Sequence, residues 1–238
     1  MAWNKNTYHK SDADCQMLLD WISEGEHQQL DFKMEIDDAR KIARSMAAFA
    51  NADGGRLLIG VKDNGVIAGV HSEEELYMLQ AAAEYYAKPQ IPYTIKLWNV
   101  HKKTVIEAFI AKSARLPHYV QNEKGEWKVY FRVGDQNLVL EPIAVHLLKS
   151  KKINKPVFIK YGRDEYKIVS LLKETEKTTA QELCRQSLLP FQIIKNVLTD
   201  LVLLNIVDEH VTITGTFFSL NGNINADDYL NHTDLLTR

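Results

Sequence analysis

Between Ala39 and Gly69 the hydrophobic period of the chain changes from helical to extended. Ile42, Met46, Phe49 and Ala50 recur at helical spacing with Arg40, Lys41 and Arg44 on the other side. That pattern predicts an amphipathic helix whose basic residues stay mostly outside. Asn51-Ala52-Asp53-Gly54-Gly55 ends it, because Gly, Asn and Asp tolerate the left-handed conformations that close helices. Leu57-Leu58-Ile59-Gly60-Val61 is too short for a helix and predicts a covered strand. Asp63-Asn64-Gly65 predicts a turn that returns the chain as a strand through Val66-Ile67-Ala68.

The flanks can be laid against this unit. Residues 1–12 are polar and predicted to be loose. Met17, Leu18, Leu19, Trp21 and Ile22 predict a helix, capped by Asp12 or Asp14 and ending near Gly25. Leu30 and Phe32 then alternate with Asp31 and Lys33, which predicts a strand with one buried and one polar face. Ser72 is the expected cap of a helix with acidic residues in its first turn and Leu76, Leu79, Ala83 and Tyr86 on its apolar side. Tyr93–Trp98 and Thr104–Ile110 alternate as strands across His101-Lys102-Lys103. Pro117–Val120 and Trp127–Val133 read as shorter strands and Pro142–Leu148 as a closing helix.

From Lys149 to Lys155 the composition becomes basic and polar, the expected domain boundary. Helical periodicity returns in Tyr166–Leu172, in a segment opened by Thr179 and Glu182 at capping-box spacing, and in Pro190–Leu204. Ile206–Thr214 and Phe217–Leu220 read as a hairpin. Three helices followed by a β-ribbon is the order of a winged helix-turn-helix. The expected layout is therefore an α/β (α+β) domain over 13–149, a small winged helix-turn-helix over 156–221, and a flexible tail over 222–238.

Composition narrows the setting. The chain has 238 residues, with 29 Lys+Arg against 31 Asp+Glu, so no global basic field points to nucleic acid. Residues 156–238 carry 8 Lys+Arg and 11 Asp+Glu, a net of −3, so the second domain has no basic cluster to announce DNA. Cys15 and Cys184 stand alone, which argues against a disulfide framework or a zinc ribbon. No leader-like or membrane-length apolar run is present, and a soluble cytoplasmic protein without a membrane partner is expected.

Candidate chemistry centres on Glu26, Asp31 and Lys33, with Asp63 as a third carboxylate at the end of the central strand. Carboxylates gathered on one face can hold a divalent cation through hard oxygen ligands, and a neighbouring lysine can neutralise a phosphate. On spacing alone the commoner reading is a solvated strand edge. The glycines at 54, 55, 60, 65 and 69 match neither the P-loop nor the dinucleotide fingerprint, so ATP is not expected. The histidines show no metal-binding spacing, and no nucleophile elbow is present. On the third helix of the second domain, Gln192, Lys195 and Asn196 lie on the polar side, where such residues read bases or grip phosphate.

Several motifs in order resemble the Schlafen-type AlbA domain family of prokaryotic regulators, also present in eukaryotic Schlafen proteins. They are Glu26-x-x-x-x-Asp31-Phe32-Lys33, Phe49-Ala50-Asn51-Ala52-Asp53-Gly54-Gly55 with Leu57–Val61, Asp63–Gly69, Pro117-His118-Tyr119-Val120 and Tyr130-Phe131-Arg132-Val133-Gly134-Asp135. The resemblance covers roughly residues 15–148 and implies a nucleic-acid-associated α/β domain; many prokaryotic relatives carry a trailing winged helix. Together with the winged-helix order, the expected function is a DNA-binding transcriptional regulator that meets DNA or RNA through Lys33, Arg56 and Arg132 in the first domain and Gln192 and Lys195 in the second. A homodimer is expected because winged-helix regulators usually match two half-sites. Binding of this kind needs no cofactor. For nuclease members the resemblance implies a Mg²⁺- or Mn²⁺-dependent RNA-cleaving site, which by position would be Glu26, Asp31 and Asp63. Asp31 departs from the usual glutamate and retracts the carboxylate by one methylene. A protein-interaction scaffold is the third reading.

Overall fold

The computed structural model describes residues 12–70, 73–151 and 161–224. The loose N-terminus, the caps expected of Asp12, Asp14 and Ser72, most of the basic connector and the tail beyond Ile224 lie outside the described residues or side chains. Two compact units divide at Leu140/Glu141.

The first unit is organised around α2 (Ala39–Asn51). Asp38 caps it by accepting from the Arg40 backbone N–H at 2.8 Å. The expected one-sided helix is in fact covered nearly all round, with Ala39, Ala43, Ala47, Ala48 and Ala50 buried beside Ile42, Met46 and Phe49. Alanine permits this because it lets neighbouring layers approach the helix axis closely. On one side lies a mixed sheet in the order β1 (Leu30–Lys33), β2 (Gly55–Ile59), β5 (Lys103–Ile110), β4 (Thr94–Val100). Strands β1 and β2 run parallel, with Asp31 opposite Leu57; the other pairs are antiparallel. On the other side is a second sheet, β3 (Ala87–Lys88), β6 (Tyr119–Gln121), β7 (Trp127–Val133), β8 (Gln136–Val139). Sequence periodicity does not mark β3 or β8, which are too short to alternate visibly.

Strand parity divides the first sheet. Leu57, Ile59, Ile106, Ala108 and Ile110 enter the core with α2 and α3 (Glu74–Glu84). Leu30, Phe32, Leu58, Val105 and Trp98 face the other way, into a second cluster with Leu18 of α1 (Asp12–Glu24). The return strand expected over Val66–Ala68 is reduced to one bridge, Val61 with Ile67. Gly55 is required where α2 turns into β2: a Cβ there would stand 2.5 Å from the Phe49 ring.

The second unit contains α4 (Pro142–Ser150), α5 (Arg163–Glu174), α6 (Ala180–Ser187), α7 (Phe191–Leu203) and the antiparallel hairpin β9 (Val207–Thr212), β10 (Gly215–Leu220). Thr179 caps α6 by accepting from Glu182 N–H at 3.1 Å. Helix α4, placed by sequence at the close of the first domain, instead buries Ile143 and Leu147 in one core with Leu198, Leu201 and Phe218. The boundary therefore falls before this helix rather than within the basic connector after it.

Candidate functional site

Glu26, Asp31, Lys33, Lys41, Arg44, Ser45, Asp63, Tyr130, Arg132, Asp135 and Asn137 line one cleft of about 430 Å³ in the first unit. Asp31 reaches it because parity on β1 turns it away from Leu30 and Phe32, towards α2 and β7. The polar face of β1 is thus not a solvated edge: Asp31 is 3% exposed.

A buried guanidinium organises the floor. Arg132 is 1% exposed, and it donates to Leu30 O at 3.0 Å, His27 O at 3.1 Å and Asn137 Oδ1 at 3.1 Å. Its Nη1 lies 3.7 Å from Asp31 Oδ1, and its carbon centre stands 5.0 Å above the Phe49 ring. Asn137 in turn donates to Ser45 Oγ at 3.0 Å, tying the network to α2. These bonds occupy the side chain that the sequence assigned to phosphate contact, and they make Arg132 a positioning residue for β1 and Asp31.

The carboxylates are differently placed. Glu26 Oε1 accepts from Phe32 N–H at 2.7 Å. Burial, followed by a hydrogen bond shared with Asp31, raises its pKa from 4.5 to about 6. Asp31 Oδ1 accepts from Lys33 Nζ at 3.1 Å. Asp31 Oδ2 is buried without a hydrogen-bond partner among the described residues. Asp63 lines the same cleft. Among the described residues, however, no three His, Cys, Asp or Glu side chains gather into a set that could hold a metal ion. Glu26 Oε1 accepts from a backbone N–H and Asp31 Oδ1 from Lys33, each carboxylate keeps lone pairs beyond these bonds, and a divalent cation would need the three side chains drawn together.

The cationic side of the cleft comes from α2. Lys41, Arg44 and Ser45 stand at i, i+3 and i+4, on one helix face. Lys41 pairs with Asp37 at 2.7 Å, which raises the lysine pKa and lowers that of the aspartate. Arg44 Nη2 donates to Glu123 at 3.1 Å while its Nε is buried without a partner. Helical spacing alone puts Lys41 and Arg44 mostly outside; their polar spacing with Ser45 is the signal that marks a shared face. Tyr130 and Asn137 carry none, since only the packing of β7 and β8 against α2 brings them here.

Arg56, the other predicted phosphate contact, lies on the opposite face of the first sheet. It donates to Glu107 at 3.0 Å and stacks 4.4 Å from the Trp21 ring and 5.0 Å from Phe109. In the second unit Gln192 and Asn196 are exposed on α7 and hydrogen-bond each other at 2.8 Å. Lys195 is half-buried near His146; burial, then Lys195 and Lys149, lower the histidine pKa.

Residues 26–141 match the family model described as Schlafen, AlbA_2. Two solved structures are also similar. The DIP2311 protein from Corynebacterium diphtheriae is 17% identical over 68% of this chain and 33% of its own, with a TM-score of 0.43. The N-terminal domain of a protein described as ATP-dependent DNA helicase RecG-related, from Nitrosomonas europaea, is 23% identical over 56% of this chain and 97% of its own, with a TM-score of 0.38. The chain thus spans about a third of the length of the Corynebacterium protein.

Proposed function

We propose that this protein binds nucleic acid, as a DNA-binding regulator that pairs the cleft of its first unit with a winged helix formed by the second. The observation that carries the reading is the convergence of Lys33, Lys41 and Arg44 on one cleft, over the buried Arg132. Four acidic side chains line the same cleft, so its grip comes from placed donors rather than from a broad positive field. Helices α5, α6 and α7 with the hairpin of the second unit support the winged-helix reading, with α7 as recognition helix and Gln192, Lys195 and Asn196 as its base- and phosphate-reaching side chains. Such a module works as a homodimer on two half-sites.

The test is fluorescence anisotropy with labelled duplex DNA and structured RNA between about 50 and 200 mM salt. Wild type should bind with an affinity that falls steeply with salt. Lys41→Ala with Arg44→Ala should weaken every ligand and flatten the salt slope, because those residues meet phosphate. Gln192→Ala with Lys195→Ala should weaken preferred sequences most. Binding that is absent, or unchanged by both pairs, removes the reading.

A second reading, cleavage of RNA through Glu26, Asp31 and Asp63 with a divalent metal, draws on the placement of all three along the cleft. It requires them to close into a ligand set that the described arrangement does not form. Cutting that needs added Mn²⁺ and disappears in Asp31→Ala would establish it over the first.

A further inference from the structure

In the first unit, the buried side-chain polar atoms left without a hydrogen-bond partner among the described residues are Asp31 Oδ2 and Arg44 Nε, and both residues line the same cleft. One is an acceptor on a side chain 5% exposed; the other is a donor on a side chain 27% exposed. Native interiors rarely leave such groups unpaired, since each costs on the order of 1–3 kcal/mol when desolvated alone. A lone cation would satisfy Asp31 and leave Arg44 Nε unmet. A lone phosphate would do the reverse. A ligand with N–H donors at one end and an anion at the other would meet both, and a cleft of about 430 Å³ lies in the range for a small molecule.

Resting on the nucleic-acid reading above, we propose that this cleft recognises one guanine nucleotide unit. The Asp31 and Glu26 carboxylates accept from the N1–H and exocyclic amino group of the base, and Arg44 with Lys41 holds the phosphate. The choice of base follows from the acceptors. Guanine alone presents two adjacent N–H donors on its Watson–Crick edge. Uracil and thymine present a single N–H flanked by carbonyl oxygens, which would face the carboxylates with like charge. Adenine and cytosine place a ring-nitrogen acceptor beside the amino group. Lys33 and Arg132, already bonded to Asp31 or its strand, keep the carboxylate fixed for this contact. The unit can be an unpaired guanine in a strand or a free mononucleotide.

The experiment is isothermal titration of the full chain at about pH 7.5, above the Glu26 pKa, so that both carboxylates accept. The probes are the four nucleoside 5′-monophosphates, guanosine, and single-stranded oligonucleotides of one base type. Guanosine monophosphate or the guanine oligonucleotide should bind at least about tenfold tighter than its adenine counterpart. Binding of the free nucleotide assigns the source to an effector; binding only within the oligonucleotide assigns it to a strand. Glu26→Gln and Asp31→Asn should each erase the base preference, and Arg44→Gln should remove the advantage of guanosine monophosphate over guanosine. Glu26→Gln keeps the test sound should Asp31→Asn fail to fold. Equal affinity for all bases overturns the inference, and duplex binding that persists beside it leaves the nucleic-acid reading standing. Absence of binding to every probe and to duplex DNA and structured RNA removes both.

Discussion

Replacing Arg132 by methionine tests whether the cleft is built from the inside. The substitution keeps most of the side-chain volume and removes the guanidinium, so the loss is electrostatic rather than a cavity. Arg132 is 1% exposed and donates to two backbone carbonyls and to Asn137, and it stands 3.7 Å from Asp31. His27 O and Leu30 O keep a reciprocal backbone bond, from Leu30 N–H and His27 N–H, so their loss is partial. The Asp31 carboxylate keeps only Lys33, whose side chain is 34% exposed. Breaking a buried charge pair on one side costs about 3–5 kcal/mol, and Lys33 holds the expected value near the lower end, about 3 kcal/mol. Trp3, Trp21, Trp98 and Trp127 all lie before residue 141, so tryptophan fluorescence during urea unfolding reports the first unit selectively. A companion Asp31→Asn removes the charge that Arg132 balances. The double variant should therefore cost at least about 1 kcal/mol less than the sum of the singles. A loss below about 1 kcal/mol for Arg132→Met, or strict additivity, would refute the view that the guanidinium positions Asp31.

Three further outcomes follow from the same contacts. Glu26 has a folded-state pKa of about 6 against 4.5, so the folded protein binds the extra proton between these values and stability falls as pH rises through about 6. After allowance for partial exposure the change is about 1 kcal/mol between pH 4.5 and 7, and Glu26→Gln should flatten that segment of the stability–pH curve. Asn51 is buried and donates to His118 O at 3.0 Å and Tyr130 O at 2.8 Å while accepting from His118 N–H at 2.7 Å. Asn51→Ala should cost about 3 kcal/mol in urea unfolding followed by tryptophan fluorescence, because it strands those backbone groups. Leu188 ends α6 in the left-handed region at φ 58° and is 86% exposed. Leu188→Gly should leave the stability of the second unit unchanged or raise it by up to about 1 kcal/mol, measured by far-ultraviolet circular dichroism on heating.

Local pattern determined most of the elements. Alternation in Leu30–Lys33, Thr94–Val100 and Lys103–Ile110, and the apolar spacing in Ala39–Asn51 and Phe191–Leu203, depend on nearby residues and were legible without a partner surface. The grouping of Glu26, Asp31, Lys33 and Asp63 around one site was legible too, through motif order. What the sequence could not show is what lies across from each residue. The spacing of Asp31 is the same whether its face meets water or Arg132; burial beneath β7 and α2 decided that, and converted an expected surface carboxylate into a buried acceptor. The same packing turned Arg132 inward, and strand parity with Leu58 sent Arg56 to the opposite face of the sheet. Helix α4 illustrates the point at larger scale: its apolar residues specify that a face is buried, while only the tertiary structure chose the core of the second unit to bury it. Periodicity records how a residue projects from its own element, and function here depends on which other element it meets.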